Sequence, residues 1–367
     1  MDVRAPSAPS EEPTTVTSTT ATFHHGTSVE HRTGLRPATE YRHGASSFTT
    51  LPEPSGQRRC RFVTVNDLHF GETEAGRIDD SPLGPIKTNP PGAPPYAAMM
   101  NHAAVDEMLA SERVSGEMAG VIVKGDITTA ATPDEFGEFE GCYRPAFGER
   151  LFAVRGNHDA AQGRHEYAGD RRIDLPGTVV ALLDTVVPGA EGGDLDADQI
   201  DWLDALADDA TDPVVVMGHH PMFLTGGDDN PEFVLSPDAS AALDALAGRR
   251  RAVIVYTAGH THRHRVQPMV CGVPAIEVGC VKDFPGTWAE YEMYEGGLLQ
   301  IVHRISSPEA LAWSENCRDL YADFGVDYSV YGAGRLTDRC LAIPLGLANR
   351  RDGARTPVPF LADTRGN

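Results

Sequence analysis

The chain has 367 residues, with 31 lysines and arginines against 53 aspartates and glutamates, which gives a formal net charge of −22 at pH 7. Such an acidic balance argues against nucleic acid or an anionic membrane surface as the main partner. The sequence shows no apolar run of about 18–20 residues for a membrane-spanning helix and no secretory signal. The six cysteines form no Cys-x-x-Cys pair, which argues against a structural zinc site and a dense disulfide framework. We therefore expect a soluble, cytoplasmic, globular protein.

Residues 1–56 show neither helical nor strand periodicity and are rich in Ser, Thr and Pro. This composition predicts an N-terminal arm that is poorly structured or lies on the surface.

Beyond residue 57 short apolar runs alternate with helical patterns. Near-continuous runs of Val, Ile and Leu are typical of strands that are buried on both faces. We predict strands over 62–65, 121–123, 151–154, 179–183, 214–217 and 252–255. We predict helices over 96–109, 199–206 and 239–246. This alternation favours an α/β fold with parallel or mixed sheets covered by helices.

The remaining segments are less regular. The proline-rich stretch 71–95 is long enough to be functional, and we expect it to form one wall of a substrate pocket. We assign residues 57–305 to the main domain, 306–348 to a C-terminal appendage packed on the core, and 349–367 to a polar tail.

Polar residues follow five of the six predicted strands. The carboxyl ends of strands in an open α/β sheet are where ligands bind. The motifs are Asn66-Asp67-Leu68-His69, Gly125-Asp126, Gly156-Asn157-His158-Asp159, Gly218-His219-His220 and Gly259-His260-Thr261-His262.

Any one of these residues alone is more often a cap, a turn residue or a solvated side chain. Their recurrence at five strand ends favours a shared metal site instead. Imidazole with carboxylate or amide oxygen suits Mn, Fe or Zn. Seven candidate ligands are too many for one ion and fit two ions that share a carboxylate, which could clamp a phosphoryl group and activate water. The candidates are Asp67, His69, Asp126, Asn157, His219, His260 and His262.

These motifs, in this order over about residues 60–305, resemble those of the calcineurin-like metallophosphoesterase superfamily. The resemblance implies a four-layer αββα sandwich, in which two mixed β-sheets are flanked by helices. It also implies the ligand sets: Asp67, His69 and His262 for the first ion, Asp126 as the bridge, and Asn157, His219 and His260 for the second ion.

The resemblance further implies two catalytic residues. His158 would face the substrate and donate a proton to the leaving oxygen or stabilise the transition state. Asp159 would hold the imidazole of His158 in place. No organic cofactor is implied.

Departures from the superfamily's patterns narrow the choice of subfamily. Thr129 stands where purple acid phosphatases carry a tyrosine ligand, and the motif after Asp126 differs from that of Ser/Thr protein phosphatases. The first motif is shared with repair nucleases, but the charge of −22 argues against a long DNA substrate. The remaining likeness is closest to bacterial class III cyclic nucleotide phosphodiesterases.

We therefore predict a phosphodiesterase of small, cyclic nucleotides that works by in-line attack of a metal-bridging hydroxide on phosphorus. A phosphomonoesterase or nucleotidase, or a catalytically silent scaffold of the same fold, stays open as an alternative. The expected partner is a small phosphoester, with neither long nucleic acid nor a membrane, and a homodimer is one possible assembly. We expect structural roles for Lys124 and Arg155.

Overall fold

The fold is described from a computed structural model, which covers residues 12–78, 81–89, 91–224 and 230–345. In chain order, the strands of the main body are β6 Arg58–Val65, β9 Val121–Lys124, β10 Leu151–Val154, β11 Arg171–Leu175, β12 Thr178–Leu182, β13 Val214–Met217, β14 Val253–Ala258, β15 Arg265–Pro268, β16 Pro274–Glu277, β17 Thr287–Tyr294, β18 Gly297–Arg304 and β19 Cys340–Pro344. The shorter N-terminal strands are β1 Thr15–Val16, β2 Ala21–His25, β3 Ser28–Arg32, β4 Glu40–His43, β5 Ser46–Thr49, β7 Glu74–Ala75 and β8 Lys87–Thr88.

The helices separate and follow these strands. They are α1 Tyr96–Ser115, α2 Pro133–Phe147, α3 Ala197–Asp209, α4 Pro237–Arg249, α5 Pro308–Asn316, α6 Tyr328–Tyr331 and α7 Leu336–Arg339. Among the helices within the described ranges, none combines the length and apolar composition that crossing a bilayer requires.

Two six-stranded sheets carry the architecture. The first has the order β10-β9-β6-β17-β18-β19, in which β10, β9 and β6 are parallel and the other pairs antiparallel. The second has the order β11-β12-β13-β14-β16-β15, in which β12, β13, β14 and β16 are parallel. Both sheets are therefore mixed, as predicted.

The two sheets pack face to face. Phe62 and Ile122 of the first sheet share one buried cluster with Val180 and Val215 of the second. The outer face of the first sheet is covered by α1 and α2, and that of the second by α3 and α4. This arrangement confirms the predicted four-layer αββα sandwich.

Local sequence signals explain where the covering helices begin. Thr132 caps α2 by accepting a hydrogen bond from the Glu135 amide, and Pro133 occupies the first turn, where its missing N–H costs nothing. Asp196 caps α3 in the same way through Gln199. An acidic residue thus caps the start of α3.

All six predicted strands and all three predicted helices are present, several of them longer than predicted. The N-terminal segment differs from the expectation, because residues 15–49 form two small antiparallel sheets. Phe23 and Phe48 of these sheets pack against Leu299 and Ile301 of β18, so burial of two aromatic rings orders a stretch that lacks periodicity.

The C-terminal segment also differs in detail. Its last strand, β19, is hydrogen-bonded to β18 and forms the edge of the first sheet. The division of the chain at residues 56 and 305 stays a prediction, and the predicted polar tail over 349–367 lies outside the described residues.

Candidate metal centre

The candidate ligands follow five strands that all point their carboxyl ends to one side of the sandwich. Asp67 and His69 follow β6, Asp126 follows β9, and Asn157 follows β10 in the first sheet. His219 follows β13, and His260 and His262 follow β14 in the second sheet. Since the sheets are stacked, the two rows of strand ends face one another.

Asp126 lies in the middle of the group. Its Oδ2 atom is 3.5 Å from His69 Nε2, and its Oδ1 atom is 3.3 Å from His219 Nε2. The side chain is 2% exposed, so a buried carboxylate separates two buried imidazoles. This is the position that a bridging carboxylate would occupy.

The first predicted ligand set is compact. One ligand atom from each of Asp67, His69 and His262 lies within 4.8 Å of the others. Asp67 Oδ1 is 3.7 Å from His262 Nε2, and the His260 amide donates to both oxygens of Asp67 at 3.1 Å.

The second predicted set is equally close. His219 Nε2 is 3.1 Å from Asn157 Oδ1 and 3.2 Å from His260 Nδ1. His220 lies beside them, but its two ring nitrogens contact Thr185 Oγ1 and the Glu191 carbonyl oxygen. The structure therefore brings all seven predicted ligands together.

The backbone of the site is locally strained. Asp67, His69, Asp126, His260 and His262 all have φ between 47° and 70°. Non-glycine residues rarely adopt this left-handed region, and each instance costs of order 1–3 kcal/mol. Five such residues in one cluster indicate that the fold tolerates unfavourable backbone conformations in order to orient the candidate ligands.

Two glycines allow the close approach of the loops. Gly125 has φ +87°, and a Cβ atom there would lie 2.5 Å from His219 Nδ1. A Cβ atom at Gly156 would lie 2.2 Å from Asp126 Oδ1. Side chains at either position would push these candidate ligands apart.

The hydrogen bonding of the candidate ligands fits a metal-binding role. Both ring nitrogens of His69 are buried and have no hydrogen-bond partner among the described residues, which is costly unless a ligand completes the site. The ring of His219 is held in one orientation, because its Nδ1 atom donates a hydrogen bond to the Lys124 carbonyl oxygen at 2.8 Å. This bond leaves Nε2 facing Asp126. Metal-binding histidines are commonly fixed by such a second hydrogen bond.

The pKa values in the cluster are shifted in opposite directions. Burial lowers the pKa of His260 to about 3 and raises that of Asp67 to about 6. Burial also lowers the pKa of His219, but the neighbouring Asp126 outweighs burial and raises it to about 9. Shifts of this kind mark functional clusters of buried charges.

His158 lies at the edge of the group, with its ring 4.7 Å from that of His69. Its Nδ1 atom donates to the Thr129 carbonyl oxygen at 2.9 Å, which leaves Nε2 available to a substrate. Burial lowers the pKa of His158, and Asp126 raises it to a net value above normal.

The expected role of Asp159 needs correction. Its carboxylate accepts hydrogen bonds from the Gly156 and Ile127 amides and from the amide and hydroxyl of Thr128. Asp159 therefore braces the loops after β9 and β10, and the imidazole of His158 is oriented by Thr129 instead. A carboxylate that is surrounded by backbone N–H groups accepts hydrogen bonds from them in preference to other donors. The spacing of residues along the chain does not reveal this arrangement.

The structure adds residues that the motifs do not single out. Asn66 donates to Asp67 Oδ2, and Glu191 accepts from the Asn157 amide at 2.9 Å and so fixes its oxygen toward His219. Lys282 is buried beside the first ligand set and pairs with Glu72 at 2.6 Å. Asn66 is the first residue of a motif and Glu72 lies three residues beyond that motif, whereas Glu191 and Lys282 carry no sequence signal of their own.

Lys124 and Arg155 have the predicted structural roles. The ammonium of Lys124 donates to the Ala258 carbonyl oxygen at 2.8 Å and so ties β9 to β14. Arg155 pairs with Asp184 at 2.9 Å.

Comparison with known families identifies one match. The sequence model described as calcineurin-like phosphoesterase matches residues 60–264, which is more than half of the chain and includes all seven candidate ligands.

Two curated relatives carry related names. A probable cyclic nucleotide phosphodiesterase of Synechococcus sp. is 25% identical over 188 residues, which cover 48% of this chain and 72% of that protein. A probable cyclic nucleotide phosphodiesterase of Rhodococcus erythropolis is 28% identical over 193 residues, which cover 49% of this chain and 63% of that protein, less than two thirds of its length.

Among solved structures, a dimetal phosphatase from Danio rerio has a similar fold. The TM-score is 0.53 at 14% sequence identity, and the alignment covers 68% of this chain and 97% of that one. At this identity the likeness supports the fold alone.

Proposed function

The chain belongs to the calcineurin-like phosphoesterase family and is a hydrolase of phosphoesters, and from that premise we propose that it is a phosphodiesterase of small nucleotides, cyclic ones included, that depends on two divalent metal ions. The observation that carries this proposal is the convergence of seven ligand-type side chains from five strand ends around Asp126.

The proposed ligand sets follow the geometry. Asp67, His69 and His262 would hold one ion, and Asn157, His219 and His260 the other, with Asp126 between them. The donor set of imidazoles, carboxylates and one amide suits Mn, Fe or Zn. When bound, such a pair of ions would polarise the phosphoryl oxygens and make a bound water molecule more acidic.

The chain's own residues would complete the reaction. His158, held through Nδ1 by Thr129, presents Nε2 to the leaving oxygen and can supply its proton. The pKa of His158 lies above its usual value, because Asp126 outweighs the effect of burial, and a raised pKa favours the protonated form. Asp159 keeps the loop between β9 and α2 in place and so fixes the carbonyl group to which His158 is bonded.

The substrate class is inferred from two observations. Both curated relatives are named for cyclic nucleotide phosphodiesterase activity. The net charge of −22 disfavours a long polyanion, whereas a small phosphodiester can be drawn in by the metal ions alone. We also propose a cytoplasmic location, because no disulfide bond joins any two cysteines in the described part of the chain, as is typical of a reducing compartment.

A direct assay tests this proposal. With Mn, Fe or Zn supplied, purified protein should hydrolyse bis-p-nitrophenyl phosphate and cyclic AMP at least tenfold faster than p-nitrophenyl phosphate. Asp126→Ala should abolish turnover of all three, whereas Asp174→Ala, at an exposed carboxylate on β11, should leave it unchanged. Faster turnover of the monoester would favour a phosphomonoesterase, and no turnover with any of the three metals would favour a silent scaffold.

A further inference from the structure

A second cavity lies outside the candidate metal centre. Its volume is about 250 Å³, the space of about eight water molecules. Thr14 and His24 line it from the N-terminal segment, and Phe284, Arg304 and Arg318 line it from the other side. None of its lining residues falls within residues 60–264, so the cavity lies outside the part of the chain that the family model matches.

The charge around this cavity is positive although the protein is strongly acidic. Arg304, Arg318 and Arg339 line it together with Glu12, and Glu315 pairs with the first two arginines at 2.6 and 2.7 Å. Three guanidinium groups therefore face two carboxylates. One excess positive charge therefore remains at this cavity.

The three arginines differ in how their donors are used. Arg339 is fully engaged, because its nitrogens donate to the carbonyl oxygens of Thr14, Pro13, Ala333 and Gly334 and to Glu12. Its function is to hold the N-terminal segment against the C-terminal one.

Arg304 and Arg318 use only some of their guanidinium nitrogens in hydrogen bonds to the described residues. Arg304 uses Nε on the Pro285 carbonyl oxygen and Nη2 on Ser314 and Glu315, which leaves Nη1 without a partner in the described part of the chain. Arg318 uses Nε on Glu315, and both of its Nη atoms lack partners among the same residues. Three guanidinium nitrogens are thus open to a ligand.

An aromatic ring lies under both guanidinium groups. The Cζ atoms of Arg304 and Arg318 are 5.5 and 4.8 Å from the centre of the Phe284 ring. Val302 and Val330 add apolar surface to the wall. The cavity wall therefore combines apolar side chains with paired donors, which is how pockets for small organic anions are built.

The present arrangement is costly for Arg304. This residue is 6% exposed. Burial lowers its pKa, the paired Glu315 raises it in part, and repulsion from Arg318 and Arg339 lowers it, so that the net pKa lies below the ordinary value. An oxyanion beside the open Nη1 would offset both effects, since guanidinium groups form strong paired hydrogen bonds with phosphate and carboxylate.

We propose that this cavity binds one small organic oxyanion, a phosphate or carboxylate group with a compact apolar body, held by Arg304 and Arg318 against Phe284. This binding site is separate from the metal centre and does not depend on the proposed reaction.

Calorimetric titration of the full chain tests the proposal. The Asp126→Ala variant with EDTA present removes the metal centre as a competing anion site. Inorganic phosphate, 5′-AMP and benzoate serve as probes. We expect at least one probe to bind with a stoichiometry of one, and a preference for phosphate and 5′-AMP or for benzoate identifies the oxyanion.

A matched pair of second substitutions locates the binding. Arg318→Gln should weaken it at least tenfold, because one charged pair of hydrogen bonds is lost. Arg144→Gln on α2 should change it less than twofold; Arg144 is 44% exposed and pairs with Glu140 at 2.9 Å, close to the 40% and 2.7 Å of Arg318. Absence of binding by all three probes, or equal weakening by both substitutions, would overturn the proposal.

Discussion

At the scale of single residues, Asp126 holds the candidate centre together. It lies within 3.5 Å of one imidazole from each ligand set, and its Oδ1 atom also accepts a hydrogen bond from the His158 amide. Burial raises the pKa of this carboxyl, but His219 and His158 outweigh burial and bring it well below the ordinary value. The Asp126 carboxylate is therefore ionised at the pH values at which it would bind a metal ion.

His158→Ala separates catalysis from metal binding. Because the ring of His158 is held by Thr129 at the edge of the ligand sets, the variant should keep its metal content and lose about 10²–10⁴-fold in kcat. Metal analysis and steady-state kinetics on the same sample measure both quantities. His165→Ala, at an exposed histidine of the same loop, is the control. A His158 variant that loses metal would remove the assignment of His158 as proton donor.

The buried pair of Glu72 and Lys282 makes a prediction about stability. Burial lowers the pKa of Lys282, but Glu72 and Asp283 outweigh burial, so the ammonium stays charged. Glu72→Gln leaves that charge poorly compensated and should lower the free energy of unfolding by about 3 kcal/mol. Glu74→Gln breaks an exposed pair with Arg77 and should leave the free energy of unfolding nearly unchanged. Urea unfolding of the two variants measures the difference, and equal losses would contradict this account of the pair.

At the scale of elements, the decisive feature is that parallel strands end in short, strained turns. The turn after β9 depends on Gly125, where φ is +87° and the space for a side chain is already filled by His219. Strand and turn together aim Asp126 at the opposite sheet.

Gly125→Ala should therefore displace His219 and reduce both metal content and turnover at least tenfold. The matched substitution Gly137→Ala lies on an exposed face of α2 with no atom near the added methyl group, and it should raise stability by about 0.5–1 kcal/mol. Thermal unfolding and metal analysis distinguish the two. A Gly125 variant with full metal content would show that the turn does not position the ligand.

Sequence patterns predict some of these elements well and others poorly. The core strands are nearly unbroken runs of Val, Ile and Leu, so they are readily predicted, and the motifs at their ends identify the candidate centre. The hairpin of β17 and β18 escapes prediction because Glu290 and Glu292 interrupt its apolar pattern, and only the fold shows that they pair with Arg61 and Arg58. Helix α2 is missed because Gly and Pro within it obscure the helical period.

At the scale of the whole molecule, the sandwich carries the candidate ligands and is extended by segments at both ends. The N-terminal sheets pack on β18, and β19 completes the first sheet. The family match ends at residue 264, so neither addition could be inferred from the motifs. Their contacts depend on side chains far apart in sequence, such as Arg339 and Thr14.

Metal removal should affect the stability of the whole fold. Two buried carboxylates and several imidazoles are held together across both sheets, and bound ions would stabilise only the folded state. Chelation with EDTA should lower Tm by about 5–10 °C, and added Mn, Fe or Zn should restore it. Asp126→Ala, already without its metal ions, should show no further loss. A Tm that does not respond to EDTA in the unsubstituted protein would contradict this expectation.

Elemental analysis of the purified, metal-loaded protein tests the central claim most directly. If Asp67, His69, Asp126, Asn157, His219, His260 and His262 form one centre, the protein holds two divalent ions per chain, and Asp126→Ala holds fewer than one. A stoichiometry of one or zero in the unsubstituted protein would contradict the two-ion centre.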